Sequence, residues 1–115
     1  MLTTYEACAQ ACATCATECD RCLSACLLER DVAPLVHCIA LDLECAALCR
    51  LLAGFADRGS KFAPQVAVAC EAVCSVCAAE CDRHEHAHCQ RCAAACRDCA
   101  LACAAVRALG VQPPM

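Results

Sequence analysis

The chain has 115 residues, of which 18 are Cys, one Tyr, two Phe and none Trp, and it carries 9 basic against 13 acidic side chains. That length suits a single domain over residues 1–115 with one core, and with bulky fillers so scarce the core must be made from Ala, Leu, Val and Cys. The mildly acidic balance lacks the Lys/Arg stripe of a nucleic-acid surface, and no apolar run is read as approaching the ~20 residues of a membrane span.

In chain order, the cysteines fall into four groups: Cys8, Cys12, Cys15, Cys19, Cys22 and Cys26; Cys38, Cys45 and Cys49; Cys70, Cys74, Cys77 and Cys81; and Cys89, Cys92, Cys96, Cys99 and Cys103. Steps of three, four and seven follow a helical period, and no step of two marks a strand. The first helix is expected at 3–29, opened by a Thr3–Glu6 capping box that satisfies backbone N–H groups left unpaired by the first turn. Asp31 and Pro34 then start a second helix at 33–57, since Pro is tolerated where its missing donor would be unbonded anyway. Gly54, Gly59, Ser60 and Pro64 separate it from a third at 61–83. The HEH run at 84–86 leads to a fourth at 87–109, with Gly110, Pro113 and Pro114 ending regular structure.

Thiols at these steps occupy one narrow stripe of each helix, and short connections make successive helices antiparallel neighbours. The expected fold is therefore all-α, an antiparallel up-down-up-down four-helix bundle whose core is lined with cysteine. A neutral thiol packs as a small hydrophobe, so such a core could be purely structural; Ala would then serve without the oxidation hazard.

Cysteine at this density is common in secreted disulfide scaffolds. The N-terminal MLTTYEACAQAC, however, has no basic n-region, apolar h-region or small-residue cleavage site. The expectation is a cytoplasmic protein with free thiols, where Cys-rich patterns serve metal or redox chemistry. CxxxC pairs recur at 8/12, 15/19, 22/26, 45/49, 70/74, 77/81, 92/96 and 99/103. On one continuous helix such pairs hold roughly parallel Cβ vectors, which suit a disulfide poorly. CxxC also recurs, at 12/15, 19/22, 74/77, 89/92 and 96/99, whereas a thioredoxin-like site wants a single pair at a helix start.

Thiolates favour Cu(I), Zn(II) and iron–sulfur clusters. A stack of four-thiolate Zn(II) sites would leave two negative charges per site in a low-dielectric core. Cu(I) takes two or three sulfurs, and with bridging thiolates about one Cu(I) per thiolate leaves the core nearly neutral. Iron–sulfur ligation, which wraps a compact cluster, fits four long stripes poorly. The reading is a ladder of many Cu(I) ions, with a broad zinc, cadmium or silver sink and, further off, a thiol redox protein as rivals.

Antiparallel topology gathers His37, His84, His86 and His88 at one end with Cys26, Cys38, Cys81 and Cys89. His84 and His88 hold inward heptad positions and are candidate ligands at a mouth; for His86 a solvated HEHAH turn explains the sequence equally, and whether His37 binds metal stays open. Tyr5, Phe55, Phe62 and Val106 are expected to seal the opposite end. Asp42 stands where the stripe would place a thiol. It reads either as an inward oxygen ligand or histidine partner, or as an outward residue on a rotated helix that buries Leu41.

Four CxxxC-bearing helices with a His-bearing end resemble the bacterial copper storage proteins of cytosolic type, over roughly residues 3 to 109. The resemblance implies Cu(I) storage or detoxification without catalysis, and a homotetramer. It implies that the cysteines from Cys8 through Cys103 hold metal, with open-end ligands near His84, His88 and Asp42. The second helix, with only Cys38, Cys45 and Cys49, departs from that richness in thiols. Leu27, Leu28, Leu43, Leu51 and Val73 lie off the thiol stripe and are the apolar surface expected between subunits. A copper chaperone or small-thiol donor is the further partner expected, with no nucleic acid and no membrane.

Overall fold

The computed structural model describes residues 1–110, so Pro113 and Pro114 lie outside the described residues. Four helices, α1 (Thr4–Leu27), α2 (Val36–Asp57), α3 (Ala63–Asp82) and α4 (Ala87–Arg107), form an antiparallel bundle, and no strand occurs among the described residues. α1 packs on α2 and α4, and α3 packs on the same two helices, which makes a four-sided arrangement around one axis.

Local chemistry sets the ends of the helices. Thr3 Oγ1 accepts from the Glu6 N–H at 3.0 Å while Glu6 Oε1 accepts from the Thr3 N–H at 3.1 Å, a reciprocal cap for the helix that carries six thiols. Between α1 and α2 the chain forms a 3-10 turn, Ala33–Leu35, with Pro34 in its first positions; a ring without an N–H fits a turn whose early donors are unpaired. α2 ends where Gly59 takes φ 65°. The Ser60 N–H then bonds Phe55 O at 2.9 Å and the Gly59 N–H bonds Ala56 O at 3.0 Å, the paired closure that needs a left-handed residue just past the helix. At the α3–α4 turn the Gln90 side-chain amide donates to His84 O at 2.7 Å and to Asp82 O at 3.3 Å, covering carbonyls that α3 leaves free.

α3 is 20 residues long and by length and composition alone is apolar enough to cross a membrane, contrary to the sequence expectation. Its apolarity comes from alanines, valines and four cysteines. Those four cysteines are buried against the rest of the bundle, as in the core helix of a packed domain.

The aromatic end is closed by Tyr5 and Phe55, packed on the core, and by the buried Leu52 and Val106. The Tyr5 hydroxyl donates to Ser60 O at 3.1 Å and so ties α1 to the α2–α3 turn. Phe62 departs from expectation. As the residue that precedes α3 it remains 47% exposed, and Lys61 Nζ lies 5.3 Å from its ring centroid, a cation–π contact at the surface. Val73, expected on the outer face, is half-buried and packs against the core, whereas Leu27, Leu28, Leu43 and Leu51 are exposed.

Candidate metal centre

All 18 cysteines are free thiols with no exposed surface. The helical period accounts for this, because each stripe turns inward and small alanines beside it, such as Ala16, Ala46, Ala67 and Ala93, let the helices approach closely. The sulfurs form one continuous column. From the sealed end, Cys8 and Cys12 lie 3.9 Å apart, and Cys99 lies 3.6 Å from Cys12 and 3.7 Å from Cys49. At mid-height Cys15 lies 3.6 Å from Cys96 and 3.7 Å from Cys45, and Cys45 lies 3.5 Å from Cys74. Higher still, Cys92 is 3.7 Å from Cys19. The column ends with Cys22, Cys26, Cys38, Cys81 and Cys89 around the mouth.

Sets of four thiols whose sulfurs all lie within 4.8 Å of one another recur along this axis. They overlap: Cys15, Cys49 and Cys99 each belong to more than one set, as do Cys19 and Cys96. Overlap matters chemically, because a sulfur shared by neighbouring sets suits a metal whose thiolates bridge. Isolated tetrahedral Zn(II) sites instead need four sulfurs of their own.

Asp42 is the buried exception. It is fully enclosed while Leu41 is half-buried, which selects the inward of the two readings its position allowed. Its Oδ1 accepts from Cys92 at 3.3 Å, Cys77 at 3.4 Å and Cys81 at 3.6 Å, and its Oδ2 lies 3.9 Å from Cys38. Burial, and then the charge of Cys92, pushes its carboxyl up to about 8. A neutral acid amid thiols costs far less than an unpaired buried carboxylate.

At the mouth, His88 Nδ1 lies 3.5 Å from Cys22 and from Cys89, and 4.0 Å from Cys26. Its Nε2 faces outward to Glu29 Oε2 at 2.8 Å. His84 is half-buried at the same end, with Nε2 2.7 Å from Glu80 Oε2. His86 is exposed, with Nδ1 3.2 Å from Glu29 Oε2 and its ring stacked on that of His88 at 5.2 Å. His37 is exposed on the first turn of α2. Glu29 escaped sequence reasoning because nothing in its spacing separates it from an ordinary charged residue in a connection.

Burial raises the Cys26 thiol and pushes that of Cys89 up to about 11. Deeper in, thiols couple. S–H donation from Cys22 and Cys81 holds Cys38 down, while its bonds to Cys22 and Cys38 push Cys81 up. Such a column gives up a first proton with help from neighbouring donors and resists giving up the next. A cation that replaces each proton removes that resistance, and a monovalent one leaves the core neutral.

The chain matches the family model described as "Copper storage protein" over residues 1–108. A cysteine-rich protein of Bacillus subtilis (strain 168), YhjQ, is 40% identical over 90 residues, which are 78% of this chain and 83% of the relative. Among solved structures, the Cu(I)-bound copper storage protein BsCsp3 superposes with a TM-score of 0.87 at 38% identity, covering 91% of this chain and 99% of the other. A cytosolic copper storage protein from Streptomyces lividans carrying five coppers gives 0.88 at 39%, covering 91% and 92%.

Proposed function

The chain belongs to the copper storage protein family, and from that membership and the thiol column we propose that it stores many Cu(I) ions along its axis for supply or detoxification. The carrying observation is the overlap of the four-thiol sets. Each Cu(I) replaces a thiol proton or neutralises a thiolate, each sulfur bridges to the next ion, and the filled column is nearly uncharged, so filling stays favourable to high occupancy. The sealed Tyr5–Phe55 end directs loading to the histidine end. There His88 Nδ1, within reach of three thiols, hands ions inward, His84 flanks the same entrance, and Asp42 serves as an oxygen ligand or as a proton store among Cys38, Cys77, Cys81 and Cys92.

The role is one of capacity without turnover. All the thiols are buried, which leaves no accessible low-pKa cysteine of the kind an oxidoreductase needs. The cytosolic description of the Streptomyces lividans relative supports a cytoplasmic location, and delivery falls to a copper chaperone or small-thiol donor. Leu27, Leu28, Leu43 and Leu51, exposed on the outer faces, favour assembly into a homotetramer, which light scattering on the eluted protein tests.

Competition separates copper storage from a broad soft-metal sink. Reduced protein is loaded with Cu(I) and then dialysed against excess Zn(II) or Cd(II). Retention of the Cu(I) supports the proposal, and exchange for either divalent ion would overturn it in favour of the sink.

A further inference from the structure

Outside the thiol column, one carboxylate oxygen gathers two imidazoles. Glu29 Oε2 lies 2.8 Å from His88 Nε2 and 3.2 Å from His86 Nδ1. Glu29 sits just past α1, His86 caps the start of α4 and His88 lies in its first turn, so two separate elements converge. We propose that Glu29, His86 and His88 form a second metal site, for a divalent ion of the Zn(II) class, distinct from the Cu(I) column.

Donor type and spacing both support this. Imidazole and carboxylate suit Zn(II) and its neighbours and suit Cu(I) poorly beside thiolates. Two His and one Glu also form an established open Zn(II) set, with a fourth position left for water or substrate. Donors ~2.0–2.2 Å from one ion, at angles between octahedral and tetrahedral, stand about 2.8 to 3.6 Å apart. The two observed separations lie at or close to that range. The rings are nearly parallel, 6° between planes, so joint ligation of one ion requires the exposed His86 ring to turn toward an ion held by the other two.

His88 presents its two nitrogens to different chemistries: Nδ1 faces the thiols at 3.5 Å and Nε2 faces this set. An ion held on Nε2 fixes the ring at the mouth, so the outer site sits directly above the shaft. It binds more weakly than the thiols, being partly exposed and having only three protein donors. A divalent probe therefore reports on it cleanly once Cu(I) has filled the column.

The probe is Co(II), added to protein whose copper content has been measured beforehand. One Co(II) per chain is expected, without thiolate-to-cobalt charge-transfer absorption, and the ring-proton NMR signals of His86 and His88 should show hyperfine shifts while that of His37 does not. His86→Ala and Glu29→Gln should each weaken binding by more than about tenfold, and His37→Ala should leave it unchanged. Absence of binding, thiolate absorption without a His86 shift, or an affinity in either variant equal to that of the parent would overturn the site. The His86 signal is read whether or not copper loads, so failure of the storage reading would show separately, in the copper count.

Discussion

Asp42 Oδ1 accepts from Cys92 Sγ at 3.3 Å, joining a carboxyl on α2 to a thiol on α4 at the top of the buried column. Burial first, and the Cys92 charge second, push this carboxyl from its ordinary 3.8 up to about 8. The folded protein therefore keeps a proton that the unfolded chain releases. The resulting stability is fully present below pH 3.8 and is lost as pH rises to about 8. Denaturation of the reduced, metal-free protein should show stability falling across that window. In Asp42→Asn the fall should be shallower, leaving the variant more stable than the parent at pH 8. Parallel profiles would refute the assignment.

The helical steps of the cysteines carried the bundle and the inward thiols, because a period of three and four leaves a stripe only one way to face. What escaped the sequence lay where periodicity ends. Asp42 allowed two helix rotations, and only packing, with Leu41 half-buried beside it, chose between them. Phe62 looked like an end plug, yet α3 begins after it and leaves its ring outside. Glu29 carries no periodic signal, since its partners His86 and His88 come from the cap and first turn of α4, 57 and 59 residues further on, and meet it only through the antiparallel topology. Val73 sits on α3 where a small rotation decides between core and surface.

The column should tolerate loss of single thiols in the metal-free state. Cys96 lies 3.6 Å from Cys15 and 3.9 Å from Cys19, Cys45 and Cys92, and it belongs to two overlapping sets. Cys96→Ala should cost about 1 kcal/mol of stability and reduce Cu(I) capacity while helicity, followed by circular dichroism, is kept. Loss of helicity in the metal-free variant would mean that the thiols hold the fold together rather than the cargo.

Loading should release protons. Burial raises the mouth thiols Cys26 and Cys89, the latter up to about 11, so these two are protonated at neutral pH and Cu(I) binding there displaces about one proton per thiol. A pH-stat titration should register that release, and Cu(I) affinity should rise about tenfold per pH unit below the thiol range. Loading without proton release would mean that the column is already ionised.

The cap on α1 makes a separate stability contribution. Thr3→Ala removes the acceptor for the Glu6 N–H and should cost about 1 kcal/mol, lowering the thermal midpoint by about 4 °C for a domain of this size. Cu(I) loading should restore most of the loss, since metal bound to the folded state stabilises it by mass action. An unchanged midpoint in the metal-free variant would show that α1 is held by packing alone.

The most direct test is an anaerobic titration of the reduced protein with Cu(I) in the presence of a coloured Cu(I) chelator. The ions taken up before the chelator colours are counted against the 18 cysteines of each chain. Uptake of about one Cu(I) per thiol is the predicted result. Saturation after one or two ions would contradict storage and leave most of the column to a structural or redox role.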